Sequence, residues 1–157
     1  VHPYLIPALE LSPIAIDRLV SQVPAHRHDE ATDPGRFTLR EAIAHLADWE
    51  PIFVQRIQQG MEIDGSEVAG IDEGDRAEEL QYQAWGVADS LAKFKAARAK
   101  TIAFIKSLTP AQLASTIRHS EKGIMTAEDQ INMLVGHDMY HIEHLTQYLC
   151  PKTASTW

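Results

Sequence analysis

Residues 137–144 read His137-Asp-Met-Tyr-His141-Ile-Glu-His144, three imidazoles and two carboxylates in one short stretch. A neutral imidazole offers a lone pair to first-row divalent ions, and as a free group it also takes up protons near neutral pH. On an α-helix, residues four apart differ by about 40° around the axis and about 6 Å along it. His137 and His141 therefore project from one face, near enough to share an ion, at the spacing that the His-Glu-x-x-His motif also uses. His144 lies on that face too. It is about 10 Å along the axis from His137, so all three cannot chelate one ion without distortion. That makes His144 an outer or substrate-facing group.

Two ligands from one helix do not make a tight site, and His45 is the best third. On a helical wheel it sits at the edge of an apolar arc, beside Trp49 and Ile52, and His137 and His141 sit at the matching edge of their own arc. Packing the two arcs together brings three imidazoles to the rim of a bundle. Asp138 falls inside an apolar arc, where an unpaired carboxylate is costly. It either orients a ligand imidazole or serves as the buried partner of another helix's cap or a basic residue. Glu50 poses the same choice. Trp49 and Trp85 read as packing residues or pocket walls. His2, His26, His28 and His119 read as solvated groups in loops or near the terminus.

These side chains need helices to hold them, and the pattern supplies four. Ser12-Pro13 reads as an N-cap with proline at the first helical position, which puts a firm helix over 13–23 after a proline-broken lead-in. Thr38-Leu-Arg-Glu41 has the spacing of a capping box and opens a second helix. Its arc holds Leu39, Ile43, Leu46, Phe53 and Ile57, Pro51 bends it, and Gly60 is its stop. A third helix, capped by Asp89 or Ser90, runs to about Leu108, followed by a helical turn at Thr109-Pro-Ala-Gln-Leu113. The fourth starts at Thr126-Ala-Glu-Asp129 and is stopped by Pro151, with Ile131, Leu134, Val135, Ile142, Leu145 and Leu149 on its arc. Residues 61–88, rich in glycine and acids with a short helix expected around 76–84, form a connection that crosses the fold or covers a site. No segment alternates for long enough to predict a strand. The expectation is an all-α four-helix bundle with one long crossover connection, built as a single domain over 1–157.

The bulk numbers narrow the function. A chain of 157 residues suffices for one well-buried core. A formal charge of −8, with no basic run, argues against nucleic acid and anionic membrane surfaces as partners. No apolar stretch approaches the roughly 20 residues of a membrane span. One cysteine, Cys150, excludes an internal disulfide. With no basic-then-apolar leader visible, a cytoplasmic location is expected.

Thr38-Leu-Arg-Glu-Ala-Ile-Ala-His45-Leu-Ala-Asp-Trp-Glu50 and Met133-Leu-Val-Gly-His137-Asp-Met-Tyr-His141-Ile-Glu-His-Leu145, with the Leu108–Leu113 turn between them, resemble the DinB-like superfamily of metal-binding four-helix bundles over nearly the whole chain. The resemblance maps that family's metal triad onto His45, His137 and His141. It implies one divalent ion (zinc, nickel, manganese or iron), a small-molecule substrate and a homodimer. Many relatives have Gln where this chain has His144. Some members are thiol S-transferases or isomerases using low-molecular-weight thiols. On that reading a thiol at an open position becomes the nucleophile, Asp138 orients a ligand and His144 relays a proton. Metal-dependent hydrolysis is the alternative, with Glu143, Asp48 or His144 as base. So is a non-catalytic metal-binding bundle, or a structural bundle in which the histidines never meet.

Overall fold

The structure is a computed structural model that describes residues 1–150. Four long helices make the bundle: α1 (Leu5–Gln22), α2 (Leu39–Glu62), α4 (Val87–Ser107) and α6 (Ala127–Thr146). Shorter elements join them: β1 (Ser66–Val68), α3 (Glu73–Glu79), α5 (Pro110–Leu113), β2 (Thr116–His119) and β3 (Gly123–Thr126). Among the described residues no helix is long and apolar enough to cross a membrane.

Three starts obey one rule. Thr38, Thr109 and Thr126 each accept a hydrogen bond from the third following amide, whose residue (Glu41, Gln112, Asp129) reaches back to the threonine amide. This satisfies donors that a helix start leaves orphaned. The third helix begins earlier than expected, with Gly86 as its N-cap, so Ser90 is a buried residue inside it.

α1 departs further. It starts at Leu5, and Pro13 lies inside it, so Ser12 is no cap. Proline at 13 has no amide hydrogen and frees the carbonyl four residues back. That carbonyl, Leu9 O, accepts a hydrogen bond from Arg98 of α4 at 3.3 Å, which lets the helix run through the proline. α2 continues through Pro51 and passes Gly60 to end at Glu62. Gly60 is needed for another reason: a Cβ there would lie 2.8 Å from the Thr116 carbonyl oxygen of β2.

α2 packs mainly on α4 and α1 on α6, with α1–α4 and α2–α6 contacts closing the ring. Arg40 at the start of α2 donates to Trp85 O just before α4, and Gly60 near its end meets Thr116 beyond α4. α2 and α4 therefore run parallel, and residues 63–86 must return along the bundle between them. Within that crossover a helix spans 73–79 and a 3-10 turn Tyr82–Ala84, in place of one helix at 76–84. Asp48 of α2 pins it, accepting from Tyr82 Oη at 2.7 Å and pairing with Arg76.

The sheet corrects the expectation of no strands. β1 pairs parallel with β2, and β2 antiparallel with β3. Strands of three and four residues carry too little alternation to read in sequence. The apolar core has two main clusters, one around Leu39, Ile43, Leu46, Phe94 and Leu145, the other around Leu9, Phe53, Ile57, Ile131 and Leu134. Leu149 lies past the end of α6 and is exposed, and Pro151 falls outside the described residues.

Candidate metal centre

α2 delivers His45 and α6 delivers His137 and His141 to one point, where a ring nitrogen from each lies within 4.8 Å of the others. His45 Nε2 and His137 Nε2 are 2.8 Å apart. Ring centroids are separated by 5.0 Å (His45–His137), 5.0 Å (His45–His141) and 4.7 Å (His137–His141). The lining is aromatic: Phe37, Trp49 and Tyr82 flank His45, Phe53 flanks His137, and Tyr140 stands edge-on to His141.

Burial sets the charge state. Desolvation pushes His45 down to about 2 and His137 down to about 4, and holds His141 well below its ordinary value. After desolvation, His137 and then Arg76 lower His45 further, and His137, His45, His144 and then Arg36 lower His141 further. All three are thus neutral at pH 7, the form that donates a lone pair. Among the described residues, His45 Nδ1 and His141 Nδ1 are buried without a hydrogen-bond partner. Three neutral, converging, poorly satisfied imidazoles are a costly way to fill a core, and their donor set fits a first-row divalent ion.

The two puzzling carboxylates have a common answer. Asp138 and Glu50 both bind Arg98 of α4, a residue the sequence reading did not single out. Arg98 Nε and Nη2 donate to Glu50 at 2.6 and 2.8 Å, and Nη1 and Nη2 donate to Asp138 at 2.5 and 2.9 Å. Ser12 Oγ donates to Asp138 and accepts from Arg98 at 2.9 Å. Of the two roles open to Asp138, the structure shows the buried partner of a basic residue. The signal was present: Leu91, Phe94, Arg98, Thr101 and Ile105 share one helical face, so a cation sits among core positions.

His144 is fully buried, and among the described residues neither ring nitrogen makes a hydrogen bond of ordinary geometry, the Phe37 backbone alone lying near enough to act on the ring. Its ring centroid is 6.3 Å from that of His141. Burial, then the nearby Arg36 charge, pushes it down to about 4. The other two candidate bases are engaged. Glu143 accepts from Arg36 at 2.9 Å, and Asp48 is held by the crossover. His119 corrects an expectation: it ends β2 and is buried, not solvated. His2 and His26 are exposed, and His28 is half-buried with Nε2 3.0 Å from Val23 O. Trp85 packs against Tyr82, whereas Trp49 is both core and cavity wall. Cys150 is exposed.

A cleft reaches the triad from two sides. One lobe, about 890 Å³, is bordered by Arg36, Phe37, Tyr140, His141 and His144. The other, about 610 Å³, is bordered by Trp49, Phe53, Arg56, His119 and His137. Glu73, Gly74 and Gly136 border both, so the crossover is also a wall of the cleft.

A sequence model of the DinB superfamily matches residues 8–145. A protein of Oceanobacillus iheyensis named as a candidate metal-dependent hydrolase is 25% identical over 124 residues, covering 79% of this chain and 71% of that protein. YfiT of Bacillus subtilis, named in the same way, is 24% identical over 143 residues, 90% of this chain and 80% of YfiT. A solved structure of YfiT, described as an unusual four-helix bundle, superposes with a TM-score of 0.85 at 22% identity. It covers 94% of this chain and 87% of that one.

Proposed function

The chain belongs to the DinB superfamily, and on that footing we propose that it is a metal-dependent enzyme that activates a nucleophile for attack on a small electrophile. The observation that carries the reading is the convergence of His45, His137 and His141, from two helices, within 4.8 Å. These three residues would hold the ion, as neutral ligands that need lose no proton. When bound, a divalent cation with three imidazole ligands supplies Lewis acidity that makes a thiol or water nucleophilic at neutral pH.

The protein's own groups do the rest. His144 borders the lobe shared with His141, with only the Phe37 backbone competing weakly for its ring, so it can accept the nucleophile's proton and return it to the leaving group. Asp138 acts through Arg98 and Ser12, holding α6 in register with α2, and is a positioning residue. The aromatic rings around His45, His137 and His141 make the walls beside the reacting atoms apolar. Two lobes meeting at the triad suit a two-substrate reaction, which favours transfer from a low-molecular-weight thiol. The thiol sulfur bonds to the electrophilic carbon, and the leaving group departs with its bonding pair.

Hydrolysis is the second reading, supported by the names of both relatives, with water in place of the thiol. One assay separates them. Protein loaded with zinc, nickel or manganese is given an aryl halide with cysteine or glutathione, and separately p-nitrophenyl acetate without thiol. Thioether formation that disappears in His141→Ala supports transfer, and nitrophenol release that disappears in the same variant supports hydrolysis. Rates unchanged by His141→Ala in both assays sink the proposal.

A further inference from the structure

The lobe beside His137 collects hydrogen-bond donors whose partners are long, loose or lacking. Arg56 lies about 20° from His45 on the α2 wheel and eleven residues beyond it. Its guanidinium leans back over the Trp49 ring, 5.6 Å from the centroid. It is 6% exposed, yet it forms no ion pair among the described residues. Its hydrogen bond to Ala69 O is long, at 3.4 Å. Trp49 Nε1, a donor that cannot accept, is buried without a hydrogen-bond partner among the described residues. On β2, His119 Nδ1 accepts the Glu121 amide at 3.2 Å, which leaves the ring proton on Nε2 and makes a third donor. Lys122 adds an ammonium, loosely paired with Glu121 at 3.8 Å.

Donors cannot satisfy one another. Three acids also border the lobe, but none pairs with Arg56: Asp72 caps α3, Glu73 is exposed and acts on Lys122, and Glu121, 64% exposed, acts on Arg56 only across a distance. A buried guanidinium whose counter-charge, Glu121, acts on it only across a distance and makes no ion pair with it is costly, and its planar fork matches a carboxylate. We propose that Arg56, with Trp49, His119 and Lys122, forms a subsite for the carboxylate of a small organic acid. The far end of that acid lies at the triad. The ligand is the electrophile or the thiol of the reaction proposed above, and only that far end rests on the metal-dependent reading. The carboxylate subsite stands on the donors alone.

The test is a titration of the full chain, metal-loaded and again after chelation, with succinate and with neutral succinamide at constant ionic strength, read by tryptophan fluorescence. Succinate is expected to saturate in both preparations, and succinamide in neither. Arg56→Met is expected to weaken succinate binding at least tenfold, and Arg56→Lys less. Lys122→Gln, at an exposed position, is expected to weaken it severalfold with unchanged Tm, so the test survives if the Met variant fails to fold. Equal binding of succinate and succinamide, no succinate binding, or succinate binding unaffected by the Arg56 and Lys122 substitutions overturns the subsite. If succinate binding depends on Arg56 while no metal binds, the subsite stands and the metal reading falls. If metal binds stoichiometrically while succinate is not preferred, the metal reading stands and the subsite falls.

Discussion

Arg98→Met probes the interaction that fixes the register of all four long helices. The guanidinium is 1% exposed and joins Ser12 of α1, Glu50 of α2 and Asp138 of α6. One positive charge faces two carboxylates, so its removal leaves two buried anions side by side. Breaking a buried pair in this way costs about 3–5 kcal/mol, a large share of the roughly 5–15 kcal/mol by which domains are stable. At about 2–4 °C per kcal/mol for a chain of this size, Tm should fall by about 6–20 °C in thermal unfolding followed by circular dichroism. Zinc affinity should fall in parallel, since Asp138 adjoins His137 and Glu50 follows His45 by little more than a turn. Adding Glu50→Gln and Asp138→Asn removes both stranded charges, and the triple variant should regain much of the loss. A single variant within about 2 °C of the parent, with a triple variant no better, would refute the claim that this network holds α2 against α6.

Gly60→Ala should cost about 1–3 kcal/mol, because the new Cβ meets the Thr116 carbonyl oxygen at 2.8 Å and Ile117 Cγ2 at 3.0 Å. Urea unfolding gives the loss, and an unchanged midpoint would mean that β2 does not press on α2. Metal-free protein should lose stability as pH falls below about 6.5. His45, His137 and His144 are held at about 2, about 4 and about 4, and His141 is also lowered, so the unfolded chain binds protons that the folded chain does not. Their contribution is complete above the unfolded value and is lost as pH falls, down to about 4 for His137 and His144 and about 2 for His45, at roughly 1.4 kcal/mol per pH unit for each imidazole kept neutral. Urea midpoints at pH 7.5, 6.5 and 5.5 check this, and a flat series contradicts it.

What the sequence made legible was local. The threonine capping boxes at 38 and 126 follow from four-residue spacings, and His137 and His141 share a face by helix geometry alone. His45 was reachable because it flanks an apolar arc that has to meet theirs. The misses depended on distant partners. Pro13 reads as a start signal, and only a guanidinium 85 residues further along the chain (Arg98, on Leu9 O) makes it tolerable inside a helix. Arg98 itself was visible as a cation on a core face, and Glu50 and Asp138 as acids on core faces; pairing them needed the packing of three helices. His119 looked like a loop residue because its strand is four residues long. Missing the sheet also hid the lobe that carries Arg56 and Lys122, and with it the second half of the cleft.

Metal content of untagged protein, measured beside His45→Ala and His141→Ala, decides whether the three histidines share an ion. About one divalent ion per chain is expected in the parent, lost from both variants while their helical content stays intact. Parent protein that takes up no zinc, nickel or manganese when each is supplied, or variants that keep the parent's stoichiometry, would contradict it.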